Sequence, residues 1–320
     1  MFLILLFSIT LAQLWEPFHV SELDKYKNHL PDYSIIDNPP NYSNHNRSSL
    51  SHEVIGYLPY WEYSSYVNID YNLISCINYF SAELNEFGDI INNHNWNNIN
   101  IVEYAHTRGV KVKLCATLFG SSELTTLLSS QTNRNNAINN LVTLVTDKDA
   151  DGIDIDFELL PLSQRDNLVI FMQELSQAFH DNMDDPIITM ATPAIDWSNA
   201  WDYNALAQIT DGLFIMAYNY FYSGSSTAGP VSPLGNYFYD IDYTVNDYIT
   251  KTNGQTDKLI LGLPYYGYNW PVTSSSMNSQ TTDHGTALVY TVANDLSNEH
   301  GYNYNNASNA PWIYYTDSNS

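Results

Sequence analysis

Seven short apolar or β-branched runs, at residues 54–58, 73–80, 110–118, 152–157, 187–191, 212–217 and 258–263, are separated by longer amphipathic stretches. Strands alternating with helices imply a parallel sheet, because each strand can meet the next only after a crossover long enough to hold a helix. Ala137, Ile138, Leu141, Val142 and Val145 recur at helical spacing. So do Leu168, Phe171, Met172, Leu175 and Phe179, in a run that opens after Ser163 as its expected N-cap. Seven such repeats point to an α/β fold of the (β/α)8 TIM-barrel kind rather than an open doubly wound sheet. No glycine-rich phosphate loop follows the first strand, which argues against dinucleotide binding.

The chain of 320 residues is long enough for one such barrel, and 44% hydrophobic residues supply its core. With 35 acidic against 11 basic residues and a formal charge of -24, its field repels nucleic acid and anionic membranes, so neither is an expected partner. The acidity reads first as a solvated surface and favours a neutral partner only by exclusion. Residues 1–12, with the apolar run FLILLFSITLA, are expected to be a signal peptide cleaved after Ala12 in a secreted protein, although no Lys or Arg precedes the run. Residues 13–52, which include NPPNYSNHNRSS, read as a disordered leader, leaving 53–320 as the folded domain. Cys76 and Cys115 lie in apolar strand-like runs and are expected as buried free thiols. There is no CxxC and no His/Cys cluster, so no metal or cofactor is expected.

The fourth run ends in Asp151-Gly-Ile-Asp154-Ile-Asp156-Phe-Glu158. Alternation along a strand puts Asp154, Asp156 and Glu158 on one face, with successive side chains roughly 6 to 7 Å apart. Acids at the frequency of 35 in 320 produce four at these spacings in roughly 4% of chains this long, so the acids alone decide little. Ile153, Ile155 and Phe157 between them place the acids in a buried strand, where acids need a reason. Carboxylates so close cannot all ionise cheaply, and one that holds its proton can serve as a general acid, which Glu158, outermost, is placed to be. Catalysis is favoured over a divalent cation site or a purely structural run.

DGIDIDFE resembles the DxxDxDxE signature of glycoside hydrolase family 18, the chitinase family. Gly56-Tyr57-Leu58-Pro59-Tyr60-Trp61 is similar to that family's first strand, Ile77-Asn78-Tyr79-Phe80 to its second, Met216-Ala217-Tyr218-Asn219 to its sixth and Gly262-Leu263-Pro264-Tyr265-Tyr266-Gly267 to its seventh. The matches run in order from about Val54 to Trp270. The resemblance implies a substrate-assisted, retaining hydrolysis of 2-acetamido sugars, chitin first among them. In that scheme Glu158 is the acid and base, Asp156 holds the acetamido N–H, Asp154 shares a proton with Asp156, and Asp151 supports the strand. Tyr218, which by itself reads as a core tyrosine, then orients the acetamido oxygen. Tyr57, Trp61, Phe80, Met216, Tyr266 and Trp270 are candidate substrate contacts that could equally be packing. Asn219, where Asp is common, is another candidate contact.

The family's third strand usually carries SxGG, whereas here Leu114-Cys115-Ala116-Thr117-Leu118-Phe119-Gly120 leaves the tight turn in doubt. No eighth strand is found, so the barrel is expected to be incomplete at its C-terminal end, with Trp312 a weak candidate for the family's pocket tryptophan. The lack of a large insertion after the seventh strand suggests a shallow cleft. The expected activity is cleavage of β-1,4 bonds between N-acetylglucosamine units by a monomer. The alternatives are an N-acetylglucosaminidase acting on peptidoglycan or glycoprotein glycans, and a non-catalytic sugar-binding barrel, against which the retained Glu158 speaks.

Overall fold

The computed structural model describes residues 18–29 and 50–316. The expected signal peptide, residues 1–12, and most of the leader fall outside them. Helix α1 (Phe18–Tyr26) lies where a disordered leader was expected. Lys25 pairs with Glu22 at 3.3 Å, one turn away along it, and the Asn- and Pro-rich composition that suggested disorder begins downstream. The chain divides into two compact units.

The larger unit, residues 28–217 and 241–263, holds seven parallel strands. In order across the sheet they are β1 (Ile55–Pro59), β2 (Cys76–Leu84), β4 (Lys111–Phe119), β5 (Gly152–Glu158), β6 (Ile187–Pro193), β7 (Gly212–Met216) and β8 (Leu259–Gly262). A short β3 (Ile90–Asn92) pairs antiparallel with β2. Each expected run became one of the seven. The sheet curls: Tyr57 on β1 and Phe214 on β7 have ring centroids 4.9 Å apart, whereas five strand spacings of ~4.8 Å in a flat sheet would hold them roughly 24 Å apart. Among the described residues no eighth parallel strand joins β8 to β1, so the fold is an incomplete (β/α)8 TIM barrel.

Helices α2 (Ile101–His106), α3 (Ser121–Ser129), α4 (Gln131–Thr146), α5 (Arg165–Asn182), α6 (Tyr203–Ile209) and α7 (Ile241–Lys251) link the strands. The apolar stripes of α4 and α5 are buried as expected, except that Leu144 rather than Val142 completes the first. Ser163 is not the N-cap of α5. It lies inside a single 3-10 turn, Leu162–Gln164, that follows Pro161 and brings the chain into the helix, leaving Gln164 at the cap position without a side-chain hydrogen bond. Ser130 does cap α4, accepting from the Asn133 amide. Cys76 and Cys115 are buried and free.

The second unit contains α1, residues 218–240 and the chain from 264 onward. Strand β9 (Tyr266–Asn269) pairs antiparallel with β10 (Thr286–Val289), helix α8 (Tyr290–His300) follows, and β11 (Asn303–Asn305) pairs with β12 (Ala310–Trp312). Two expectations are corrected here. The chain after the seventh strand does form a sizeable antiparallel unit, and Trp312 ends a two-stranded hairpin rather than a barrel strand. Main-chain bonds such as Ala228 N to Ser279 O (2.9 Å), Leu234 N to Ser308 O (2.9 Å) and Gly285 N to Ser223 O (2.8 Å) lace the unit together, which is why apolar periodicity did not announce it.

Candidate active site

All seven residues of β5 are buried. One face serves packing: Phe157 lies against Phe171 of α5 with ring centroids 5.3 Å apart. Gly152 opens the strand because a Cβ there would lie 1.9 Å from the Ile187 carbonyl oxygen on β6, so only glycine permits this approach of the two backbones. The other face carries Asp154 and Asp156, both without solvent exposure, and Glu158, which is 4% exposed. The order from interior to rim is the one read from the sequence.

Asp154 is held from two sides. The Tyr57 hydroxyl of β1 donates to its Oδ2 at 2.6 Å, and the Thr189 hydroxyl of β6 donates to its Oδ1. The Lys113 ammonium of β4, itself buried, donates to that same threonine oxygen. Burial, followed by the charge of Asp154, pushes the Tyr57 hydroxyl well above the ordinary tyrosine range, so it stays a proton donor. The Cys115 thiol is pushed up in the same way, by burial first and then by the charges of Asp154 and Asp156 and a hydrogen bond with Asp154.

Glu158 is fixed through its backbone. Its carbonyl accepts the Gly120 N–H at 3.3 Å, and the next residue, Leu159, takes a left-handed conformation with φ of 65°. The Leu159 carbonyl in turn accepts the Ser121 hydroxyl at 2.6 Å. The tight turn left in doubt by the missing SxGG is made by Gly120 alone, at φ of 127°, where a Cβ would lie 2.2 Å from Glu123 Oε2. Asp151 sits just before β5. Its Oδ2 accepts the Val112 N–H at 2.7 Å and lies 2.8 Å from His106 Nε2. Asp211 repeats the device before β7 by accepting the Ile188 N–H at 2.8 Å, so an acid at a strand entry that clips the neighbouring strand belongs to the scaffold.

The aromatic candidates divide. In the barrel unit Tyr57 is committed to Asp154, Phe80 and Met216 are buried, and the half-buried Trp61 meets Phe80 edge-on at 6.0 Å. In the second unit Tyr218 lies edge-on to Tyr266 at 6.0 Å, and its hydroxyl is 3.4 Å from His19 Nε2. Asn219, left-handed at φ of 59°, accepts the Tyr266 hydroxyl at 2.7 Å. Trp270 donates its indole N–H to the Ser223 carbonyl at 3.1 Å and packs over Gly285.

Residues 53–319 match the family model described as Glycosyl hydrolases family 18. The chain belongs to glycosyl hydrolases family 18. Among the family 18 relatives, the protein of Bacillus subtilis (strain 168) named sporulation-specific glycosylase YdhD is 31% identical over 45% of this chain and 33% of its own. Its crystal structure superposes with a TM-score of 0.64 at 25% identity, over 76% of this chain and 79% of that one. Mouse chitotriosidase-1 is 25% identical over 50% of this chain and 39% of its own length. The Ostrinia furnacalis Group II chitinase catalytic domain 2 shares the fold at a TM-score of 0.73 and 20% identity, covering 83% and 81% of the two chains. The chain spans well under half the length of these curated relatives.

Of the candidate site's parts, Lys113 and Thr189 do not stand out in the sequence, and Gly120 does so only as the end of a segment whose turn was in doubt. Lys111, Lys113, Cys115 and Thr117 alternate on one face of a strand whose other face is apolar, a pattern that does not tell a face turned to water from one turned inside.

Proposed function

We propose that this chain is a secreted glycoside hydrolase that cleaves β-1,4 bonds between N-acetylglucosamine units of chitin or its oligomers. The observation that carries the reading is the inner face of β5, where Asp154, Asp156 and Glu158 succeed one another toward the rim with only glutamate reaching solvent. Glu158 protonates the leaving oxygen while the sugar's own acetamido oxygen attacks the anomeric carbon, forming an oxazolinium intermediate. Asp156 receives the acetamido N–H and stabilises the charge that develops there. Glu158 then takes a proton from water, which opens the intermediate with net retention. Asp154 enters this scheme as the neighbour that shares a proton with Asp156, steadied by Tyr57 and Thr189. The part given to Tyr218 rests on sequence resemblance. Glu158→Gln keeps the shape and removes the transferable proton. Hydrolysis of N-acetylglucosamine oligomers should fall by about 100- to 10,000-fold with an unchanged melting temperature; wild-type rates in this variant would sink the mechanism.

A second substrate class has its own support. Two relatives carry the names sporulation-specific glycosylase and cortical fragment-lytic enzyme, the latter 28% identical over 60% of this chain. On this reading the same acids act on N-acetylglucosamine within cell-wall glycan. Side-by-side turnover of chitin oligomers and muropeptides separates the two, and turnover of muropeptides alone would exclude the chitin reading.

A further inference from the structure

We propose that Lys113 is a positioning residue for the reaction, acting on Asp154 through the Thr189 hydroxyl; the inference rests on the hydrolase reading above. Lys113 is only 1% exposed, and its ammonium lies inside the curled sheet, not at its surface. A buried ammonium without an anion in reach is among the costliest groups a fold can carry. Its side-chain hydrogen bond goes to Thr189 Oγ1, and the hydroxyl hydrogen of Thr189 goes on to Asp154 Oδ1. Cation, hydroxyl and carboxylate thus form one directional chain across β4, β6 and β5. Because the ammonium can only donate, the threonine oxygen must accept from it, which leaves the hydroxyl hydrogen for Asp154 and no other arrangement.

The groups facing this chain come from every strand around it. Tyr57 of β1 donates to the second oxygen of Asp154. Cys76 of β2 and Cys115 of β4 are thiols that burial pushes up and whose upward shift the Lys113 charge opposes. Asp156 lies two residues along β5 from Asp154. Within this set Lys113 is the one cation, and Asp154 and Asp156 are the carboxyl pair that shares a proton in the scheme above. With Oδ1 taken by Thr189 and Oδ2 by Tyr57, Asp154 has no freedom to turn about its own bond, and the ammonium balances part of the charge that the paired aspartates concentrate. Asp156 then meets a neighbour of fixed orientation and charge when it responds to the acetamido group. The contribution belongs to the chemical step, since none of Lys113, Thr189 or Asp154 lies at the rim where a sugar docks.

The test is a double-mutant cycle read in kcat and KM on N-acetylglucosamine oligomers, with melting temperature measured for every variant. Lys113→Met keeps the unbranched stem and removes the charge. It should lower kcat by about tenfold or more while KM stays within about twofold, as expected for loss of a charged hydrogen-bonded network. In an Asp154→Asn background the same substitution should change kcat by less than about threefold, because its target is gone. A folded Lys113→Met that loses the same factor of kcat with and without Asp154, or loses none, overturns the proposal. Should Lys113→Met fail to melt cooperatively, Thr189→Val removes the bridging hydroxyl while leaving the ammonium, and the same pattern is required of it. Unfolding of both would assign the chain to the fold and overturn the positioning role. Absence of turnover in the wild type defeats the hydrolase reading itself, an outcome distinct from additivity in an active enzyme.

Discussion

Strand β5 lies in the middle of the seven parallel strands with every residue buried, whereas β8, at the end of the row, buries only Gly262 of its four residues. In sequence both are short strands with a glycine at one end, yet β5 carries three acids in alternation with its Ile and Phe residues while β8 is apolar throughout. What separates them is partners. β5 has β4 on one side and β6 on the other, with α5 behind it, so even Asp154 and Asp156 are shut from water and Glu158 is nearly so. Among the described residues β8 pairs with β7 alone, and Leu261 is left 43% exposed. Position in a sheet, more than hydrophobicity, thus decides how much a strand residue contributes to stability and whether a charged one is forced into a network.

Substitutions can break or sharpen that comparison. The largest expected effect on stability is at Phe157: replacement by Ala empties the contact with Phe171 and should cost about 3–5 kcal/mol in guanidinium denaturation. A loss below about 1 kcal/mol would mean that the middle of the sheet is no better packed than its end. Next comes the interior of β2, where burial first and the Asp151 and Asp154 charges further down the order push the Cys76 thiol up from 9.0 to about 11, against the lowering effect of Lys113. A thiol with a raised folded value holds its proton in the native state when the unfolded chain has already lost it. The stability it confers is therefore complete below about pH 9 and drains away as pH rises toward 11, on the order of 2 kcal/mol. Cys76→Ala should flatten that part of the stability–pH curve, and an equally steep alkaline decline in the variant would refute the assignment. The smallest effect is expected at the edge, where Leu261→Ala should cost under about 1 kcal/mol. Equal losses at Phe157 and Leu261 would erase the distinction between centre and edge.

The same contrast explains how far the sequence could be read. The seven parallel strands were legible because each is a short apolar run set off by polar breaks, and the acids of β5 because alternation with Ile and Phe forces them to one face. Lys113 was not, since a lysine near the start of a strand ordinarily reaches water. Lys111, two residues earlier on the same face, does so. Only the register, with Lys113 opposite Gly152, reveals that the second lysine has passed inside. The turn at Gly120 was not legible because the family's third strand usually carries two glycines at this place and here one suffices. Residues 264–316 yielded little for another reason. No residue of α8 is buried, and the segment depends on main-chain bonds to residues 218–240 that leave no periodic trace. Ser163 was misread because a 3-10 turn after Pro161 moved the helix entry along the chain.

The grip on residue 158 is made by main-chain atoms and by the neighbours Gly120, Leu159 and Ser121. A scaffold of that kind holds the main chain at this position, and glutamine has the shape of the buried glutamate it would replace. On the proposed reading, a change of that one codon from glutamate to glutamine would leave a protein of the same shape that still meets sugar but no longer cuts it. Lineages built on this architecture therefore stand a single nucleotide from trading turnover for recognition, and can do so without first losing the fold.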